Sequence, residues 1–147
     1  FINQITKLMG GRVAEEVVFN QIYTGASHDM QVATNIAHNM VCAWGMSDKL
    51  GPITFGRREE HVFLGREITK VKDYSEDTAK LIDEEVSKIV NECYRKARKI
   101  IEDNIDGLHN LAKKLLEIET IDAKQIKEIL GVAEGDSGTG SDAPLTA

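Results

Sequence analysis

The run from Ser75 to Asp103 limits this chain's possible folds more than any other stretch. Ile82, Val86, Ile89, Val90, Cys93, Ala97, Ile100 and Ile101 recur at steps of three and four, the spacing of one helix face. Glu84, Lys88, Glu92, Lys96 and Lys99 fall on the opposite, solvated face. Ser75-Glu76-Asp77 opens the run with acids that suit the positive end of a helix dipole. A helix with such a stripe must be covered by other elements, and the rest of the sequence offers more helices. Its two prolines, Pro52 and Pro144, leave long stretches free for helix.

Phe1 to about Phe19 reads as a helix with Ile2, Ile5, Met9, Val13 and Val17 on one side. Gly10-Gly11 interrupts it, which predicts either a bend or the close approach of another backbone. A second helix is expected from about Ser27 to Trp44, with Ser27 as N-cap and Gly45 as the stop. Its stripe is Ala33, Ile36, Ala37, Met40, Val41 and Trp44. Ser47 to Pro52 is turn chemistry. Ile53-Thr54-Phe55 and Val62-Phe63-Leu64 are β-prone and predict a small hairpin laid against helices. Ile105 to Ile118 is again amphipathic. Asp122 and Gln125 have the spacing of a capping box for a short last helix, ended by Gly131. The expectation is a mainly α fold, an amphipathic helix bundle with one small hairpin or pair of short strands. It has one helical domain over 1–130 and a disordered tail over 131–147, where Gly, Ser, Asp and Thr take over.

Charge narrows the function. With 24 acids against 18 bases, a nucleic-acid partner is not expected. Nor is direct membrane contact from this segment, because no run of about 18 apolar residues exists to span a bilayer. Cys42 and Cys93 lie far apart on apolar faces and read as small buried hydrophobes. The chain starts without Met and without a leader pattern, and reads as part of a longer protein.

The residues alone supply no complete active site. His28, His38, His61 and His109 include no pair four apart, so there is no HExxH motif. His38 reads as a partly buried helix residue, and His61 and His109 as surface positions. Asp29 allows two readings. It is a first-turn acid that complements the helix dipole, worth about 0.3–1 kcal/mol. It also lies four residues before Ala33, on the line of the apolar stripe, as a metal ligand or catalytic carboxylate would. Glu15-Glu16 is either a solvent-facing pair or contains an acid that orients a metal-bound histidine.

Five segments in order bear on this choice. They are Leu8-Met9-Gly10-Gly11-Arg12-Val13-Ala14-Glu15-Glu16, Thr24-Gly25-Ala26-Ser27-His28-Asp29-Met30, Trp44 to Pro52, Val62 to Glu67, and Ile82-Asp83-Glu84-Glu85-Val86. Together they closely resemble the C-terminal part of the peptidase domain of FtsH-type ATP-dependent zinc proteases, over about residues 1 to 130. The resemblance implies that Asp29 is the third zinc ligand. It places Glu15 beside the zinc histidines, as the carboxylate that orients them. No catalytic residue falls in this chain, because the family's two histidines and general-base glutamate belong to an HExxH helix upstream. Position 28 is often Asn in the family and is His28 here.

The resemblance further implies zinc as cofactor, ATP used by a separate domain, polypeptide substrates and a homo-hexameric parent anchored at the cytoplasmic face of a membrane. By itself the segment is expected to be inactive and to self-associate. The alternative expectation is a non-catalytic helical module for assembly.

Overall fold

Residues 1–56 and 74–131 are described by a computed structural model. Six α-helices and one short 3-10 turn make up their regular structure. The mainly α expectation holds. Ile53-Thr54-Phe55 does not form a strand, and the only strand-like pairing among the described residues is an isolated bridge between Ser47 and Gly51. Val62-Phe63-Leu64 and the expected tail from 132 lie outside the described residues.

The stretch read as one N-terminal helix is two, α1 (Ile2–Leu8) and α2 (Gly10–Phe19), broken at Met9. Met9 keeps right-handed helical angles (φ −72°, ψ −17°), and i→i−4 bonds from Met9 N–H to Ile5 and from Val13 N–H to Met9 continue across the break, so the chain does not leave helical geometry there. A methyl group added at Gly10 or Gly11 would meet nothing within 4 Å. Among the described residues the glycine pair therefore marks the break and admits no neighbouring backbone.

Helix α3 (Ser27–Cys42) packs on α1, and α4 (Glu76–Asp103) covers both. The shared core holds Ile5, Met9, Val13, Ala33, Ala37, Met40, Cys93 and Ala97, all buried. Ala33 and Ala37 leave the space that Ile5, Met9 and Val13 fill. Burying each of those larger side chains is worth roughly 1.5–3 kcal/mol. Cys93 seals α4 to α1, its thiol donating to the Ile2 carbonyl at 3.6 Å. A second cluster of Val41, Cys42 and Ile82 holds the C-terminal half of α3 against α4. Cys42 and Cys93 are free and buried, as expected.

Helix α3 stops at Cys42, two residues short of the expected Trp44. Trp44 leaves the stripe and stacks on Phe1, with ring centroids 4.4 Å apart. Gly45 has φ +59°, and a Cβ there would stand 3.0 Å from the Pro52 Cα. Only glycine meets both conditions without strain. The turn that follows is tied down from three sides. Phe55 N–H donates to the Cys42 carbonyl at 2.8 Å. The Ser47 hydroxyl donates to Glu85 Oε2 at 2.8 Å. Lys49 lies 3.6 Å from Glu85 Oε1. Glu85 is 5% exposed, an inward-facing acid on α4: the turn satisfies its Oε2, while its buried Oε1 has no hydrogen-bond partner among the described residues and only the Lys49 charge near it.

These elements belong to one compact unit, Phe1–Glu102, and a second begins at Asp103. The second unit contains α5 (Ile105–Ile118) and α6 (Ala123–Leu130). The capping box forms as expected: Asp122 accepts from Gln125 N–H at 2.8 Å, and the Gln125 side chain accepts from Asp122 N–H at 3.0 Å. Gly131 closes α6 in the left-handed region (φ 66°). No residue of α5 or α6 is fully buried, and Leu116 is 86% exposed.

Candidate metal centre

The segment before α3 is wound more tightly than the sequence suggested. Thr24–Ala26 forms a 3-10 turn that runs directly into α3. Ser27 already has helical angles (φ −61°, ψ −38°) and its N–H bonds to the Thr24 carbonyl. It therefore cannot serve as the extended N-cap residue expected of it. Ala26 occupies that position without a side-chain bond. The 3-10 turn winds into the helix through the Ser27 N–H bond to Thr24, which draws Ser27 into helical geometry and out of the capping position.

Asp29 is the third residue of α3 and is partly exposed. The buried residues Ala33, Ala37, Met40 and Val41 continue the same side of the helix, so the inward phase read from the sequence is present. No hydrogen bond or ion pair to another described residue engages its carboxylate. His28 beside it is exposed. His38 is exposed rather than partly buried, with Nε2 3.7 Å from Cys42 Sγ. Burial, reinforced by the nearby Asp83 charge, pushes the Cys42 thiol above its ordinary pKa and keeps it protonated. His109 is exposed in the second unit, and His61 lies outside the described residues. Among the described residues, no three His, Cys, Asp or Glu side chains converge as a metal site.

Glu15 and Glu16 divide sharply. Glu16 faces α4. Tyr94 Oη donates to its Oε2 at 2.7 Å, Arg98 Nη1 donates to its Oε1 at 3.1 Å, and Arg12 Nε stands 3.8 Å from Oε2. The Tyr94 hydrogen bond, aided by Arg98 and Arg12 and opposed by partial burial, holds the Glu16 carboxyl below its ordinary pKa. Burial and the bond to Glu16 push Tyr94 upward. Arg98 also binds Glu102 at 2.8 Å, which raises its own pKa further.

Glu15 faces the 3-10 turn instead. Its Oε1 lies 3.6 Å from where a Cβ on Gly25 would stand. Its Oε2 is buried and has no hydrogen-bond partner among the described residues. A buried carboxylate oxygen without a donor is costly, and native sites that contain one usually supply the donor from elsewhere.

The sequence singled out Asp29 and Glu15, and the structure places them on adjoining elements, α3 with its 3-10 turn and α2. Sequence reading missed the cluster around Glu16 and the buried Glu85. Glu16 and Tyr94 are 78 positions apart, and no local spacing connects them. The one local signal was Arg12 four residues before Glu16 on the same helix.

Comparison with known proteins bears on this arrangement. The chain matches the model for peptidase family M41 over residues 1–129. It is 50% identical over 133 residues to a protein of Kosmotoga olearia named ATP-dependent zinc metalloprotease FtsH, covering 90% of this chain and 21% of that one. It is 52% identical to a protein of the same name from Magnetococcus marinus, over 86% of this chain and 19% of the relative. The Thermotoga maritima protein of that name is 50% identical over 88% of this chain and 21% of its own length. The chain spans about a fifth of the length of these curated relatives. With a family match over nearly all its helices and about half its residues shared with these relatives, the chain belongs to peptidase family M41.

Proposed function

We propose that this chain supplies one ligand and part of the scaffold of a zinc endopeptidase site. In this reading Asp29 binds zinc through its carboxylate. Glu15 accepts a hydrogen bond from the outer ring N–H of a ligating histidine, fixing its tautomer and orientation. The observation that carries the reading is the orphaned, buried Glu15 Oε2 beside the turn that leads into Asp29. Both acids fit the group. Among the described residues no partner engages the Asp29 carboxylate at the end of an apolar stripe, and the buried Glu15 Oε2 has no donor. Zinc, when bound, acidifies a coordinated water and polarises a scissile carbonyl. The two histidines and the general base come from polypeptide outside these 147 residues, since the chain contains no HExxH.

The relatives' name extends the proposal to the parent protein. There an ATP-using domain delivers polypeptide substrates to the peptidase site. The resemblance to FtsH-type proteases, rather than that name, adds to the proposal a homo-hexameric parent anchored at the cytoplasmic face of a membrane. No helix among the described residues is long and apolar enough to cross a membrane.

An Asp29→Ala change in the full-length parent tests the assignment. Loss of zinc and of casein cleavage, with ATP hydrolysis and the oligomer retained, is the expected result. Collapse of the oligomer would instead give Asp29 a packing role and favour the assembly-module alternative.

A further inference from the structure

The metal-site reading uses Glu15 and leaves its neighbour unexplained. Glu16 holds a partly desolvated position, gripped by three side chains, two of them on α4. Glu15 lies one residue earlier, about 100° around the same helix. Rotation of α2 about its axis therefore moves the two carboxylates together. The apolar contacts at Val13 and Val17 also face the core, but hydrophobic contacts are non-directional. Tyr94 and Arg98, by contrast, fix Glu16 by direction as well as distance. They also brace each other, with Arg98 Nη1 3.3 Å from Tyr94 Oη, and Arg98 is tethered to Glu102.

We propose that Tyr94 and Arg98 are positioning residues for the zinc site: by anchoring Glu16 to α4 they set the rotation of α2, and so aim the Glu15 carboxylate at the turn that leads into α3 and Asp29. This rests on the reading of Asp29 and Glu15 given above. Neither Tyr94 nor Arg98 touches the metal. They act only through Glu16 and the helix it shares with Glu15.

The test is a double-mutant cycle on zinc affinity in the full-length parent, read by competition with a chromogenic chelator. Removing the carboxylate partner outright, with Glu15→Gln, is expected to weaken zinc about 10- to 100-fold. Tyr94→Phe keeps the ring and its packing and removes one anchor. It is expected to weaken zinc roughly 3- to 10-fold, a fraction of that outer-ligand effect. In the Glu15→Gln background Tyr94→Phe should cost nothing further, because there is no carboxylate left to aim. An equal cost in both backgrounds overturns the proposal and makes Tyr94 a general stabilising residue. Unchanged zinc affinity in Tyr94→Phe, with Glu15→Gln impaired, overturns the positioning role and leaves the Glu15 assignment standing. No effect of Glu15→Gln removes that assignment and the positioning role with it. Arg98→Met removes the other anchor and runs through the same cycle should Tyr94→Phe fail to fold by thermal melting.

Discussion

Asp29 and Glu15 show how far single residues can be read from their neighbours. The phase of Asp29 on the Ala33–Ala37–Met40 stripe was visible in the sequence and is present in the fold. The burial of Glu15 Oε2 was not, because it depends on where the Thr24–Ala26 turn passes. Gly45 offers the sharpest test at this scale. Its positive φ and the Pro52 backbone 3.0 Å from a would-be Cβ act together. Gly45→Ala should lower stability by more than about 1 kcal/mol, the cost of the left-handed conformation alone. Urea unfolding of the variant checks this, and a midpoint equal to wild type would contradict it.

Among the elements, the seam between α2 and α4 is polar at one point and apolar elsewhere, and the polar point makes the seam pH-sensitive. The Glu16 pKa is depressed in the folded state, so its contribution is fully present above the ordinary glutamate value, about 4.3. That contribution is lost as pH falls through the lower, folded value. Tyr94 is raised, so its contribution is complete below about pH 10 and lost as pH climbs through its folded value. Glu16→Gln should therefore lower the melting temperature at pH 7, and the gap to wild type should shrink as pH falls below the ordinary glutamate value and through the lower, folded one. A gap that does not shrink on acidification would mean the side chain acts by packing. The helices themselves were legible because their signals are local. The α4 stripe and the Asp122–Gln125 capping box each fall within one or a few turns. The Ser27 cap is not formed because the preceding 3-10 turn draws Ser27 itself into helical angles, with its N–H on the Thr24 carbonyl. Trp44 was placed on α3 by its spacing, but Phe1 offers it a better surface than the stripe does.

At the scale of the molecule, family and mainly α class were readable from ordered motifs, while the contacts joining distant segments were not. The Ser47–Glu85 and Tyr94–Glu16 bonds span 38 and 78 residues, and no spacing rule reaches that far. The surface also carries large exposed apolar side chains. Phe19 and Ile22 are each 62% exposed beside the 3-10 turn, and Leu116 is 86% exposed on α5. The 147-residue chain by itself should self-associate, seen as a mass that rises with concentration in light scattering. It should also bind zinc poorly, since among the described residues no three ligands converge. A concentration-independent monomer, or nanomolar zinc affinity with casein cleavage, would contradict these expectations.

The turn after α3 adds a statement about time. Residues 44–55 are held by the Phe55–Cys42 bond, the Ser47–Glu85 bond and the Lys49 ion pair, rather than by a helix ladder. Such a segment opens as a unit at a free energy well below that of global unfolding. Its amides at Met46, Gly51 and Phe55 should exchange with deuterium at one common rate, ahead of those in the middle of α3 and α4. Ser47→Ala should speed all three together. Common faster exchange in Ser47→Ala would make the Ser47–Glu85 bond the contact that limits how often the end of α3 is bared to solvent.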